Sequence, residues 1–136
     1  MNKQKEFFIP DNKKIIGVDF DGTLATKSFP ECGELIEHAK EAVNALYDAG
    51  HYIIIWTCRM DESLDLCREF LAKHGIKHHI VNEHHPEMVI HYGNDTRKIS
   101  ADIYIDDKQV GGLPPWAEIM TILKEKHDIE HDFKVS

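Results

Sequence analysis

Lys14-Ile15-Ile16-Gly17-Val18-Asp19-Phe20-Asp21-Gly22-Thr23 is the stretch on which the fold turns. Ile15 to Val18 is a short continuous apolar run, the pattern of a strand buried on both faces. The run stops at an acidic residue, and Gly22 lets the backbone turn sharply just beyond it. A strand of this kind predicts neighbours that alternate between similar strands and helices.

The chain on either side meets that expectation. Ala25 to Gly33 reads as a loop, with Pro30 and Gly33 as breakers. Leu35 to Ala49 reads as a helix, because Leu35, Ile36, Ala39, Ala42, Val43, Leu46 and Tyr47 keep a 3–4 spacing and Gly50 suits its end. Tyr52 to Trp56 is a second buried strand, built on Ile53-Ile54-Ile55 and ending at Thr57. Ser63 to Lys73 follows as a helix with Asp61 as its N-cap, Leu64, Cys67, Phe70 and Leu71 on its inner face, and Gly75 beyond its end. Ile76 to Asn82 reads as a third strand, interrupted by His78 and His79. Glu83 to Asn94 takes no assignment, since Pro86 and Gly93 break it. Ile103-Tyr104-Ile105 is a fourth strand, running into Asp106-Asp107, and Gly111-Gly112 is a turn. Pro114-Pro115 opens a last amphipathic helix marked by Trp116, Ile119, Met120 and Leu123. The polar tail after His127 is expected to fray.

Strands alternating with helices predict an α/β fold: one Rossmann-like, doubly wound domain over residues 1–136, with a mainly parallel sheet. A chain of 136 residues suits a single domain and buries a core without disulfide help. Cys32, Cys58 and Cys67 are odd in number and unpatterned, which argues against a disulfide framework and for a reducing cytoplasm. Cys58 and Cys67 read as packing residues. No apolar run approaches the ~20 residues of a membrane span, and Met1 to Lys14 lacks the apolar core of a signal peptide. The net charge of -8 disfavours nucleic acid as a partner.

In a parallel sheet the ligand site lies beyond the carboxyl ends of the strands. Three strands here end in groups suited to one chemistry: Asp19 to Thr23, Thr57-Cys58-Arg59, and Asp106-Asp107-Lys108. Asp19, Asp21, Asp106 and Asp107 gathered on one rim repel one another and need a cation or shared protons. All-oxygen ligands suit Mg²⁺. A carboxylate beside Mg²⁺ can attack phosphorus, and a second carboxyl two residues away can protonate the leaving oxygen and then activate water. Gly22 and Thr57, with nearby backbone N–H groups, can receive phosphate oxygens. Arg59 has two readings, a contact to a substrate phosphate or a solvated surface charge. His78, His79, His84, His85 and His91 are clustered, but no zinc-ligand spacing accompanies them, and a solvated or substrate-facing rim is the better reading.

Asp19-Phe20-Asp21-Gly22-Thr23-Leu24 after an apolar strand resembles the first motif of the haloacid dehalogenase (HAD) superfamily. Tyr52 to Thr57 is similar to the second motif, Lys98 falls where the third motif's lysine belongs, and Ile103 to Asp107 resembles the fourth. The resemblance implies that Asp19 is the nucleophile and a metal ligand. It implies that Asp21 is the general acid/base and offers its backbone carbonyl to Mg²⁺. Thr57 and Lys98 would bind the phosphoryl group, Asp106 the metal, and Asp107 would support it, directly or through water. Neither interval between motifs has room for a cap domain, so the chain looks like a capless member. Its open site would admit a phosphorylated small molecule or a large substrate, or be covered by a neighbouring subunit in a homo-oligomer. Ala101 to Lys108 looks like the corresponding stretch of short relatives associated with surface-polysaccharide synthesis, which implies a sugar phosphate. The expectation is therefore a Mg²⁺-dependent phosphohydrolase working through an aspartyl phosphate. Two rivals are a nucleic-acid end phosphatase, disfavoured by charge and by the lack of a kinase P-loop, and a non-enzymatic phosphorylatable receiver. In receivers the acidic pair follows the first strand and the acceptor Asp the third, which is not the order found here.

Overall fold

The computed structural model describes residues 12–83 and 101–135. Its elements run β1 (Ile15–Asp19), α1 (Ala39–Asp48), β2 (Tyr52–Trp56), α2 (Asp61–Lys73), β3 (Ile80–Val81), β4 (Ile103–Ile105) and α3 (Trp116–His127). The sheet has the order β3-β2-β1-β4, and each pairing is parallel. The expected Rossmann-like α/β fold is what the chain forms. Strand order reverses at β1, whose two neighbours are β2 and β4. A crevice opens beyond the carboxyl ends of the strands at such a switch point, and ligands bind there.

Alternation along the strands sorts the core into two clusters. Ile16, Val18, Ile53 and Ile55 face the larger one, with Ala39, Val43 and Leu46 of α1, Phe70 and Leu71 of α2, and Trp116, Met120 and Leu123 of α3. Ile15 and Ile54 point the other way, with Tyr52, Trp56, Ile80 and Ala101 against them. Asp102 fastens β4 to β1, its carboxylate accepting from the Ile15 N–H at 2.8 Å. Among the described residues no helix is long and apolar enough to cross a membrane.

Four local expectations need correction. The first helix starts at Ala39, not Leu35. Leu35 bridges Ala25 in antiparallel fashion, Thr26 N–H donates to Glu34 O at 2.8 Å and Ile36 N–H to Leu24 O at 2.9 Å. The predicted loop is therefore the tip of a small hairpin, and its apolar return arm gave a false helical period. The N-cap of α2 is Met60, with Ser63 Oγ accepting from the Met60 N–H at 3.1 Å, while Asp61 already lies inside the helix. The third strand is only Ile80–Val81. His79 is held ahead of it, its Nδ1 accepting from the Ile53 N–H at 3.0 Å and its ring stacked on Tyr47 and Tyr52. The tail after His127 is anchored: Ile129 and His131 are buried. His51 links it to β1, with Nδ1 accepting from the Lys14 N–H at 3.1 Å and Nε2 donating to Glu130 O at 2.8 Å. Burial pushes His51 below its ordinary value, in keeping with that neutral tautomer.

Candidate active site

The register of β1 fixes the rim. Asp19 pairs with Trp56 and Val18 with Ile105, so Asp19, Thr57 and Asp106 come to one edge of the sheet. Carboxylate oxygens of Asp19, Asp106 and Asp107 lie within 4.8 Å of one another. Asp21, expected in the same cluster, turns its carboxylate elsewhere, to Arg59.

The loop after β1 is a tight backbone knot. Thr23, Leu24 and Ala25 N–H groups converge on Phe20 O at 3.2, 2.9 and 3.2 Å. Trp116 of α3 pins this turn from below, its Nε1–H donating to Thr23 O at 2.9 Å, and Thr23 Oγ1 donates to Asp19 Oδ2 at 3.2 Å. Gly22 has φ +84, and a Cβ there would overlap the carboxylate of Asp107. Its N–H is spent on Ala25 O at 2.7 Å. Gly22 thus serves the site by its conformation and the close approach it permits, not as the phosphate donor expected of it.

Electrostatics divide the three clustered acids. Burial, the negative charge of Asp106 and the contact with Asp107 push the Asp19 carboxyl up to about 7. Burial also acts to raise Asp107, but the Lys27 ammonium and the carboxyls of Asp19 and Asp106 hold it below the ordinary carboxylate value. Lys27 Nζ stands 3.1 Å from Asp107 Oδ2. Asp107 Oδ1 is buried with no hydrogen-bond partner among the described residues. Asp106 is oriented by its own turn, Oδ1 accepting from the Lys108 N–H at 2.9 Å. An orphaned buried carboxylate oxygen amid like charges is what a hard divalent cation satisfies, so the donor set fits Mg²⁺.

Thr57 is buried just past β2. Its N–H donates to Asn82 Oδ1 at 2.8 Å, and its Oγ1 accepts from the Arg59 N–H at 3.1 Å. The hydroxyl proton makes no hydrogen bond among the described residues, which leaves it able to donate to an anion on the rim. Lys98, the expected phosphate-binding lysine, lies outside the described residues, as do His84, His85 and His91.

Arg59 overturns both of its expected readings. It is buried, and it is not available to phosphate. Nε donates to Asp21 Oδ2 and Nη2 to Asp21 Oδ1, each at 2.8 Å. Nη1 donates to Pro30 O at 2.8 Å and Ser63 O at 3.0 Å, and Nη2 also to Glu31 O at 2.7 Å. These bonds use every guanidinium N–H. The hydrogen bonds to Asp21 outweigh burial and push Arg59 further above its ordinary value. Cys58 is exposed rather than packed, whereas Cys67 is buried as expected, and burial pushes its thiol up to about 12.

Sequence reasoning missed Lys27 and Asn82. Lys27 sits in a polar hairpin tip with nothing to distinguish it. Asn82 carried a signal: it is the first residue past β3, on the same rim as Asp19 and Thr57.

No family model matches the chain, and no curated protein does. A solved structure is similar, that of a conserved protein coded by a locus of Bacteroides thetaiotaomicron. The two are 38% identical, the match covers 84% of this chain and 92% of that one, and the TM-score is 0.75. The chain belongs to the same family as this conserved Bacteroides protein.

Proposed function

We propose that the chain is a Mg²⁺-dependent phosphohydrolase of the haloacid dehalogenase type, acting on phosphate monoesters through a phosphorylated Asp19. One observation carries the reading: three carboxylates from the ends of β1 and β4 meet at the sheet's switch point, with a buried Asp107 oxygen that lacks a donor among the described residues. Asp19, Asp106 and Asp107 would hold Mg²⁺, with the Asp21 backbone carbonyl. The ion would supply charge neutralisation for the carboxylates and for the phosphoryl oxygens.

The residues divide the work as follows. Asp19 is fixed by β1 and by Thr23, so its attacking oxygen is held in place before substrate arrives. Transfer forms a bond from Asp19 oxygen to phosphorus as the ester bond breaks, and the leaving oxygen takes a proton from Asp21. Asp21 then removes a proton from the water that attacks the acyl phosphate, returning Asp19 to a carboxylate. Thr57 donates its hydroxyl proton to a phosphoryl oxygen. Between β1 and β2 the chain has only a hairpin and one helix, which supports an open, capless site. Sugar phosphates are the first class to assay. Free cysteines suit a reducing compartment, and we place the chain in the cytoplasm.

A panel of sugar phosphates, other phosphorylated metabolites and 3′- or 5′-phosphorylated oligonucleotides, assayed with Mg²⁺ and with chelator, tests the reading. Release of inorganic phosphate that needs Mg²⁺ and disappears in Asp19→Asn is the expected result. Phosphate release that persists in chelator or in Asp19→Asn contradicts it.

A further inference from the structure

Every donor of the Arg59 guanidinium is engaged, and the scheme above gives it no task. Its side chain is 1% exposed and that of Asp21 24%. Its planar fork meets both oxygens of Asp21 at 2.8 Å. A bidentate pair fixes the plane of a carboxyl as well as its position. The remaining donors tie that fork to Pro30 O and Glu31 O on the hairpin tip, and to Ser63 O in the first turn of α2. Phe20 and Phe29 each face Arg59, with ring centroids 5.2 Å from Cζ. Phe20 lies between Asp19 and Asp21 in the chain, so the same cation also braces the turn joining the two. Its donors are all used, so Arg59 is not a phosphate receptor. It reaches the chemistry only through the Asp21 carboxyl, so its task is to position that group.

We propose that Arg59 is a positioning residue for Asp21: it sets the orientation of the acid–base carboxyl and makes that orientation depend on the hairpin tip and the start of α2. This rests on the phosphohydrolase reading and extends it to a residue outside the motifs. Three roles make different predictions. A phosphate clamp changes KM for every ester. A purely structural bolt lowers stability and the active fraction equally for all substrates. A positioning residue changes kcat, most of all where the leaving group needs a proton.

Arg59→Met and Arg59→Lys, each alone and combined with Asp21→Asn, separate them. Each variant is assayed in the full chain with Mg²⁺, using an alkyl phosphate and p-nitrophenyl phosphate, with a thermal melt to score folding. We expect Arg59→Met to lower kcat for the alkyl ester at least ~10²-fold, the scale of acid–base catalysis, with KM within ~3-fold. The first-step burst with p-nitrophenyl phosphate should fall far less, because that leaving group needs little protonation. In the Asp21→Asn background Arg59→Met should add little, since residues that act as a unit are not additive. Arg59→Lys keeps the charge without the fork and should show the same pattern in milder form. It carries the test if Arg59→Met does not fold. A rise in KM shared by both esters at unchanged kcat overturns the proposal, as does an equal loss with both that multiplies with Asp21→Asn. A readout free of turnover is the Arg59 Nε–H resonance, expected to exchange slowly and to shift in Asp21→Asn. An unchanged resonance overturns the pairing itself. Wild-type protein that hydrolyses no phosphate ester defeats the phosphohydrolase reading and the proposal together. Active wild type with wild-type kinetics in Arg59→Met and Arg59→Lys defeats the proposal alone.

Discussion

Asp19 and Asp21 stand two residues apart on one turn, yet their surroundings are opposite. Asp19 joins Asp106 and Asp107, a group whose one ion-pair partner among the described residues is Lys27, 62% exposed. Asp21 has a cation of its own, buried and bidentate. Among the described residues the three clustered carboxylates have only an exposed cation beside them, whereas the other carboxyl is paired and geometrically fixed. On the proposed reading the crowded acids would hold the metal and supply the nucleophile, and the acid whose plane Arg59 fixes would carry the proton.

The largest expected effect breaks the crowded side. Asp19→Asn keeps the shape but removes the attacking oxygen's charge, and turnover should fall at least ~10³-fold, as when a central group is lost. Steady-state phosphate release per folded protein measures it, and near-normal turnover in a pure sample contradicts the covalent route. Breaking the braced side should cost less and be selective. Asp21→Asn should lose ~10²-fold or more with an alkyl phosphate, while p-nitrophenyl phosphate should still give a burst near one per site. Equal, small losses with both esters would mean that Asp21 is not the acid–base group.

The crowded side also makes a pH prediction. The Asp19 carboxyl sits above its ordinary value, so its ionisation opposes folding. Its contribution to stability is complete below the ordinary carboxylate range and fades as pH rises through about 7. Mg²⁺ held by the ionised form would offset that loss. The rise in melting temperature on adding Mg²⁺ should therefore be larger at pH 8 than at pH 5, and an equal rise at both contradicts the assignment. Ca²⁺, with longer bonds and more ligands, should bind but inhibit. The smallest effect belongs to the exposed cation. Lys27→Met should change apparent Mg²⁺ affinity by no more than ~5-fold, the scale of a surface ion pair. A loss of binding on that substitution would show that Lys27 is part of the site's frame.

The strand ends were legible because short apolar runs that stop at Asp19, Thr57 and Asp106 leave little else for those segments to be. Arg59 was not, because its partner Asp21 lies 38 residues earlier in the chain and its other acceptors are backbone carbonyls of the hairpin tip and the first turn of α2. A clue was present: Asp21 lies two positions past the end of β1 and Arg59 three past the end of β2, on paired strands, where an acid and a base readily meet. Leu35 and Ile36 misled because a helical spacing continued across the hairpin's return arm. The tail misled through its polar composition, since His131 is buried by bonding Met120 O at 2.8 Å rather than by being apolar.

The measurement that tests the account most directly is the adduct on Asp19. Asp21→Asn is mixed with p-nitrophenyl phosphate and Mg²⁺, quenched in acid within the burst, digested and read by mass spectrometry. The account predicts one phosphoryl group on the peptide that contains Asp19, at close to one per chain, and none when Asp19 is also replaced by Asn. A burst of p-nitrophenol with no phosphorylated peptide, or with the phosphoryl group on another residue, would contradict it.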